Sequence, residues 1–328
     1  MKTLLIYGAV GYTGRMAAAR AKQVGLEAVL AGREAGPLVA LARDLQLEYR
    51  VFALDEADVV ERGLADIDVL LNCAGPFVHS AAALMSACLR TGTHYLDIAA
   101  ELDSYQLAGK WHRQALDAGV MLLPGSGGSV AMLGSLAAHA IARAPMAASL
   151  RIALHVSGGM SRGSAVSASQ NLVAECLMLH HGVLTPRDPS QLRDFDFGGY
   201  RASCFPITLP DLLTIAQQSG LADIETYVHV SGSAFPEGDL AALPDGPTVA
   251  ERGANRYQAS VEVIDTEGVV TRAVLDTVNG YSFTPLAAVE AARRVLAGEY
   301  QAGFQTPVGL FGSGFAETIA DTRISDLA

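Results

Sequence analysis

A chain of 328 residues, half of them hydrophobic and 17% charged, has the material for more than one well-buried core and is not a disordered polymer. Its net charge of -11 argues against a nucleic-acid surface, which needs an excess of Lys and Arg to neutralise phosphates. Four scattered cysteines without a CxxC pair form neither a disulfide framework nor a zinc signature, so no metal is expected and the thiols suit a reducing, cytoplasmic compartment.

In chain order, the first half alternates short apolar runs with helical patterns. Lys2 to Tyr7 is an apolar run that meets Gly8 too early for a signal segment and reads as a strand. Tyr12 to Val24 is an alanine-rich helix ending near Gly25. Strands follow at Glu27–Ala31, Arg50–Leu54, Asp68–Asn72, His94–Ile98 and Val120–Leu123, with helices at Pro37–Leu45, Glu56–Gly63, Ser80–Arg90 and Asp103–Asp117 between them. Mostly apolar strands separated by helices predict an α/β fold with a doubly wound parallel sheet covered on both faces.

After "LLPGSGGSV" the texture changes. Leu150–Val156 alternates as a strand does, Ser157–Ser164 is a loop rich in Ser and Gly, and Ala165 to His180 reads as a helix. That reading puts His180 and His181 at a helix end, as favourable terminal charges and not as metal ligands. Thr185–Tyr200 is polar and reads as a surface loop; Pro210–Gly220 is a helix and Ile224–Val230 a strand. Tyr257–Ile264 and Val269–Val278 flank "DTEG" as a hairpin. A helix follows from Thr284, and the terminal "GFQTPVGLFGSGFAETI" is expected to return to the first domain. The expected domains are therefore 1–123 plus about 284–328, and a mixed α/β substrate and dimerisation domain over 124–283. No apolar run approaches a membrane span, so no membrane partner is expected.

Gly8, Gly11 and Gly14 lie between the first strand and first helix, as a GxxGxxG turn. The first permits the tight turn, the second lets backbone approach a pyrophosphate, and the third lets helix pack close to strand. With Tyr12 and Thr13 they form the start of a helix, where N–H groups and the dipole bind an anion. The second strand ends "VLAGRE", with Gly32 where an NAD site carries an acid. Arg33 follows, suited to a 2′-phosphate, and this favours NADP. Glu34 keeps NAD open, since a carboxylate there accepts from ribose hydroxyls. Asp55, after the third strand, is placed beside the adenine. "NCAGPF" ends the fourth strand, so Cys73, Ala74, Gly75 and Pro76 border the nicotinamide half of the crevice. Cys73 reads as packing, because no base is paired with it.

These segments, with "ACLRTGTHYLDIAAE", "SGGMSRGSA" and "TPVGLFG", resemble the saccharopine dehydrogenase-like family of NAD(P)-dependent oxidoreductases, including its trans-acting enoyl reductase relatives. The resemblance implies a Rossmann domain whose C-terminal segment returns to it, a mixed α/β domain, hydride transfer at a C=N or C=C bond, and a homodimer formed through the second domain. Members often carry acids after strand six; "PGSGGSVAMLG" here carries none, which puts saccharopine itself in doubt as a substrate.

For the chemistry, Tyr95, Asp97 and Glu101 lie around the end of strand five as candidates to donate a proton or hold a substrate ammonium. Alternation puts Tyr95 and Asp97 on one side and His94, read as structural, on the other. Ser126 and Ser129 are candidate substrate contacts after strand six, and Arg162 beside Ser161 and Ser164 is a candidate fork for a carboxylate. The chain is therefore expected to be an NADP-dependent oxidoreductase acting on a small C=N or C=C compound. The alternatives are a non-catalytic NADP-binding sensor or partner subunit, and an NAD-dependent amine or amino-acid dehydrogenase.

Overall fold

In a computed structural model, residues 2–171, 175–232 and 243–328 are described. They fall into two compact units, Met1–Gly128 with Thr284–Leu310, and Ser129–Phe283 with Phe311–Ala328.

The first unit is built on a sheet of seven strands among the described residues. These are β1 (Leu4–Tyr7), β2 (Ala28–Gly32), β3 (Glu48–Val51), β4 (Val69–Asn72), β5 (His94–Asp97), β6 (Met121–Leu123) and β15 (Gly303–Phe304). Their order is β15-β6-β5-β4-β1-β2-β3, with every pairing parallel. β1, β2 and β4 are buried along their whole length, as a sheet covered on both faces demands. Helix α1 (Tyr12–Gln23) buries Gly14, Ala17, Ala18 and Ala21, and that stripe of small residues brings its axis close to the sheet. Helices α2 (Ala35–Leu45), α3 (Ala57–Gly63) and α4 (Phe77–Thr91) complete the first crossovers. The strand order reverses between β1 and β4, so the ligand crevice of such a sheet lies at their carboxyl ends. The helix read over Asp103–Asp117 is two helices, α5 (Leu102–Lys110) and α6 (His112–Asp117), meeting at Trp111.

Among the described residues the second unit holds nine strands in the order β10-β11-β12-β7-β13-β14-β16, with β8 on β12 and β9 on β8. β7 (Ala147–Ser157) and β12 (Asp223–Ser231) run parallel in the middle. β13 (Tyr257–Asp265) and β14 (Val270–Thr277) are the expected hairpin. Helix α7 (Gly128–Ile141) leads into β7, and α9 (Asp211–Ser219) precedes β12.

Three expectations change here. The helix read over Ala165–His180 is a helix α8 only over Arg162–Asn171; Leu177–His180 is strand β8. It pairs with β9 (Val183–Pro186) through the two residues His181 and Gly182, both at positive φ (49° and 77°), as a tight hairpin loop requires. His180 and His181 are therefore at a hairpin tip and not a helix end. The loop read over Thr185–Tyr200 contains β10 (Arg193–Asp196), whose charged sequence hides a strand that buries only Phe195 and pairs with β11 (Arg201–Pro206). Finally, Thr284–Leu310 lies with the first unit, where β15 extends the sheet beside β6, but the segment from Phe311 belongs to the second unit. β16 (Arg323–Leu327) pairs antiparallel with β14, and the Thr277 and Thr322 hydroxyls meet at 2.6 Å beside that pairing.

Candidate functional site

Gly8 leaves β1 with φ of 77°, and a Cβ there would stand 2.7 Å from the backbone nitrogen of Ala74. The two loops on either side of the strand-order reversal thus touch at backbone level, which only glycine allows. At Gly14 a Cβ would lie 2.2 Å from the Gly8 carbonyl oxygen, so strand exit and helix start are packed to contact. Gly11 is the residue before α1; its N–H donates to the Gly8 carbonyl at 3.0 Å. No side chain caps α1 and its first turn holds no acid. A helix start with neither a cap nor a carboxylate leaves its positive end open to an external anion, as the starts of α2 and α4 do too.

Arg33 and Asp55 are exposed beyond the ends of β2 and β3. Arg33 faces the exposed Glu34 at 3.7 Å, a contact in water that does little to hold the guanidinium. Both Arg33 and Asp55 act on the Tyr7 hydroxyl, which donates to the Phe52 carbonyl at 3.2 Å. Burial, opposed by Arg33 and aided by Asp55, raises the Tyr7 pKa to about 12.

Across the crevice, Asn72 organises the next loop. Its Oδ1 accepts from the Ala74 N–H at 2.9 Å, and its Nδ2 donates to Ser80 Oγ at 3.0 Å and to the Tyr95 hydroxyl at 3.2 Å. Ser80 in turn donates to the Ala74 carbonyl at 2.7 Å. Gly75 and Pro76, joined by a cis peptide, stand at the loop tip. Cys73 is half-buried, and burial with the Asp97 charge pushes its thiol up to about 12. It is a neutral thiol and not a poised nucleophile.

The three residues read as candidates for proton transfer divide. Asp97 is fully buried: its Oδ1 accepts from the N–H groups of Ala99 (3.0 Å) and Gly125 (2.7 Å), and its Oδ2 from the Tyr95 hydroxyl (2.8 Å). Burial raises its pKa to about 6 against those hydrogen bonds. Tyr95 is equally buried. Both hold loops together. Glu101 alone is half-exposed, at the start of α5, with one carboxylate oxygen accepting from the Ala100 N–H at 3.0 Å. Ser126 is buried and donates its hydroxyl to the Asp97 carbonyl at 2.8 Å, so that hydroxyl is committed to the fold. Ser129 is half-buried in the first turn of α7. Arg162 opens α8 with its guanidinium paired to Asp245, so a substrate carboxylate there must displace Asp245.

One arrangement escaped the sequence reading. On the second sheet, Ser231 and Tyr200 flank His155: Ser231 Oγ is 2.8 Å from Nε2 and the Tyr200 hydroxyl 2.5 Å from Nδ1. Tyr200 donates its single proton to Gln258 Oε1 at 2.7 Å, and Gln258 Nε2 donates to Asp276 at 3.2 Å. His155 therefore carries its proton on Nδ1 and accepts from Ser231 at Nε2. Burial and His229 hold its pKa below the usual imidazole value. Only sheet register brings the set together, through the pairings His155 with Gln258 and Gln258 with Asp276.

A cavity of about 890 Å³ lies at the opposite end of the first sheet, beside Lys2, Asp68 and His94 at the amino ends of β1, β4 and β5. It lies away from the switch point, at the end of the sheet opposite the one where ligands of such sheets bind. No helix among the described residues is long and apolar enough to cross a membrane.

Comparison with known proteins agrees with this geometry. Residues 4–123 match the family model of the saccharopine dehydrogenase NADP binding domain. Trans-acting enoyl reductases of Mycobacterium tuberculosis and Mycobacterium bovis are 30% identical to the chain over 131 residues, covering 37% of this chain and 31% of theirs. The match thus spans about a third of the length of these relatives. Saccharopine dehydrogenase (L-Glu forming) of Saccharomyces cerevisiae, in its apo form, shares the fold, with a TM-score of 0.69 over the whole of both chains at 12% identity. The relatives named here are oxidoreductases, and residues 4–123 of this chain are similar to the NADP binding domain of saccharopine dehydrogenase, a likeness that supports NADP binding.

Proposed function

We propose that this protein is an NADP-dependent reductase that delivers hydride to a small C=N or C=C substrate. The observation that carries the reading is the pairing of an uncapped α1 start behind Gly8, Gly11 and Gly14 with an exposed Arg33 after a β2 that ends in Gly32, where NAD sites carry an acid. In this reading the backbone of Gly11, Tyr12, Thr13 and Gly14 holds the pyrophosphate. Arg33 binds the 2′-phosphate, Asp55 flanks the adenine, and the Cys73–Pro76 loop borders the nicotinamide. The bound cofactor supplies the hydride. Glu101, the half-exposed carboxylate of the three candidates, pairs with a cationic C=N substrate, while Asp97 and Tyr95 keep the loops around it in place.

The test is titration with NADPH and NADH, alongside Arg33→Ala. Much tighter NADPH binding that collapses in the variant supports the assignment and opens a screen of reducible C=N and C=C compounds. Preferential NADH binding overturns it and turns the search toward amine dehydrogenation through Glu34. A homodimer and a cytoplasmic location belong to the same proposal; a monomeric mass by light scattering at working concentration counts against the first.

A non-catalytic NADP-binding sensor is the second reading. It is favoured by the commitment of Asp97, Tyr95 and Ser126 to internal hydrogen bonds, which leaves few polar groups for catalysis. Tight NADPH binding without oxidation by any imine, enone or oxo acid separates it from the reductase.

A further inference from the structure

In a regular strand, successive side chains point to opposite faces, so consecutive histidines do not converge. At the β8–β9 hairpin that rule is broken. His180 ends β8 and His181 adopts a left-handed φ of 49°, which turns its ring back beside its neighbour. The two imidazole centroids lie 4.0 Å apart with planes at 38°. The register that pairs β8 with β12 then brings Asp223, the first residue of β12, to the same point. Asp223 Oδ1 accepts from His180 Nδ1 at 2.7 Å and from the His181 N–H at 3.2 Å, and its Oδ2 lies 3.9 Å from His181 Nδ1. One ligand atom from each residue falls within 4.8 Å of the others.

From this geometry we infer that His180, His181 and Asp223 form a site for a divalent transition-metal ion of the Zn²⁺ class. Two imidazoles and one carboxylate are a nitrogen-rich set that suits Zn²⁺, Co²⁺ or Ni²⁺, whereas Ca²⁺ and Mg²⁺ take oxygen ligands. Bonds of about 2.0–2.2 Å in a tetrahedron separate ligand atoms by roughly 3.3–3.6 Å. The separations between donors of the set start at 2.7 Å and stay within 4.8 Å, so they bracket that range and ring rotations bring one donor from each residue onto one ion. The ion replaces the hydrogen now shared by His180 and Asp223. All three side chains are reached by solvent, at 49%, 80% and 33% exposure, so an ion has an entry path.

Three protein ligands leave a tetrahedral ion one position for water or another small ligand. A neighbouring cavity of about 280 Å³, lined by His180, Asp223, Ser149, Arg151, Met178 and Glu225, offers room for it. The ion would tie the hairpin to β12, and every residue involved lies in the second unit.

The test uses the full chain with any histidine tag removed, titrated with Zn²⁺ by calorimetry and with Co²⁺ by visible absorption. Expected are a single saturating site, tetrahedral Co²⁺ bands and a rise in melting temperature. Loss of even an outer partner typically costs a metal site 10–100-fold, so His180→Gln, His181→Asn and Asp223→Asn are each expected to weaken binding by about tenfold or more. Asn tolerates the left-handed φ at 181, so that variant keeps the hairpin. Undiminished NADPH binding and an unchanged far-ultraviolet circular dichroism spectrum show that the variants fold. Should they misfold, Zn²⁺-dependent shifts of the His180 and His181 imidazole signals in the wild type decide instead. No saturable binding, or equal binding in the triple variant, overturns the site.

Discussion

The backbone N–H of Gly125 donates to Oδ1 of Asp97 across 2.7 Å, tying the loop after β6 to the end of β5. Gly125 sits at φ of 65°, and a Cβ there would meet the Tyr105 hydroxyl at 2.0 Å, so the approach is open only to glycine. The same carboxylate receives Ala99 N–H and the Tyr95 hydroxyl. An amide cannot accept from all three. Asp97→Asn turns an N–H group toward one donor and is expected to cost about 1–3 kcal/mol at neutral pH, measured by urea denaturation. Unchanged stability would show that the carboxylate is not the hub this geometry makes it.

The glycines of the proposed cofactor turn are expected to separate fold from binding. Gly14→Ala forces a methyl to within 2.2 Å of the Gly8 carbonyl oxygen, and overpacking of that kind costs about 1–3 kcal/mol. Gly11 has an ordinary φ of -68°, and its Cβ would meet only the Gly8 oxygen at 3.3 Å. Gly11→Ala is therefore expected to change stability by less than about 1 kcal/mol while weakening NADPH binding, since its methyl stands where backbone must approach a pyrophosphate. Thermal melts with and without NADPH distinguish the two. Undiminished binding in Gly11→Ala would remove Gly11 from the site.

The direction of the His155 hydrogen bonds is measurable. Nitrogen-15 spectra of the imidazoles are expected to show His155 protonated on Nδ1 and neutral until the pH falls below the usual imidazole pKa, because burial and His229 disfavour its charge. Tyr200→Phe removes the acceptor for Nδ1–H and the donor for Gln258, so the tautomers should mix. Tyr200 is 39% exposed, so water replaces much of the loss and the stability cost is expected to stay near about 1 kcal/mol. A wild type dominated by the Nε2–H tautomer would contradict the chain of donors.

What was legible in the sequence is what is local. Gly8, Gly11, Gly14 and Arg33 stand within one strand–helix–strand passage, and the alternation around β5 put Tyr95 beside Asp97, where they share a hydrogen bond. What was not legible is made by register between distant strands. Asp223 meets His180 only because β8 lies against β12, and the sequence around Leu177–His180 suits a helix until the His181–Gly182 turn is seen. Ser126 looked like a free hydroxyl for substrate, but its partner is a carbonyl 29 residues earlier. The terminal strand β16 pairs with β14 by edge hydrogen bonds that carry no sequence signature.

Asp211 gives the protein a pH dependence of its own. It opens α9 fully buried, and neither carboxylate oxygen has a partner among other described side chains or backbone. Burial, opposed by its own backbone N–H, raises its pKa to about 7. A carboxyl whose pKa is higher folded than unfolded binds its proton more tightly in the native state. Its stabilising contribution is thus complete below the unfolded value near 4 and is lost as the pH rises through about 7. Asp97, at about 6, acts in the same direction over a narrower window. Asp211→Asn removes the charge without removing the volume, and is expected to stabilise the protein at pH 8 by roughly 1–3 kcal/mol. It should also flatten the fall in unfolding free energy between about pH 4 and 7. Urea denaturation of both proteins across that range tests this, and a variant less stable at pH 8 would mean that the Asp211 charge has a partner that holds it.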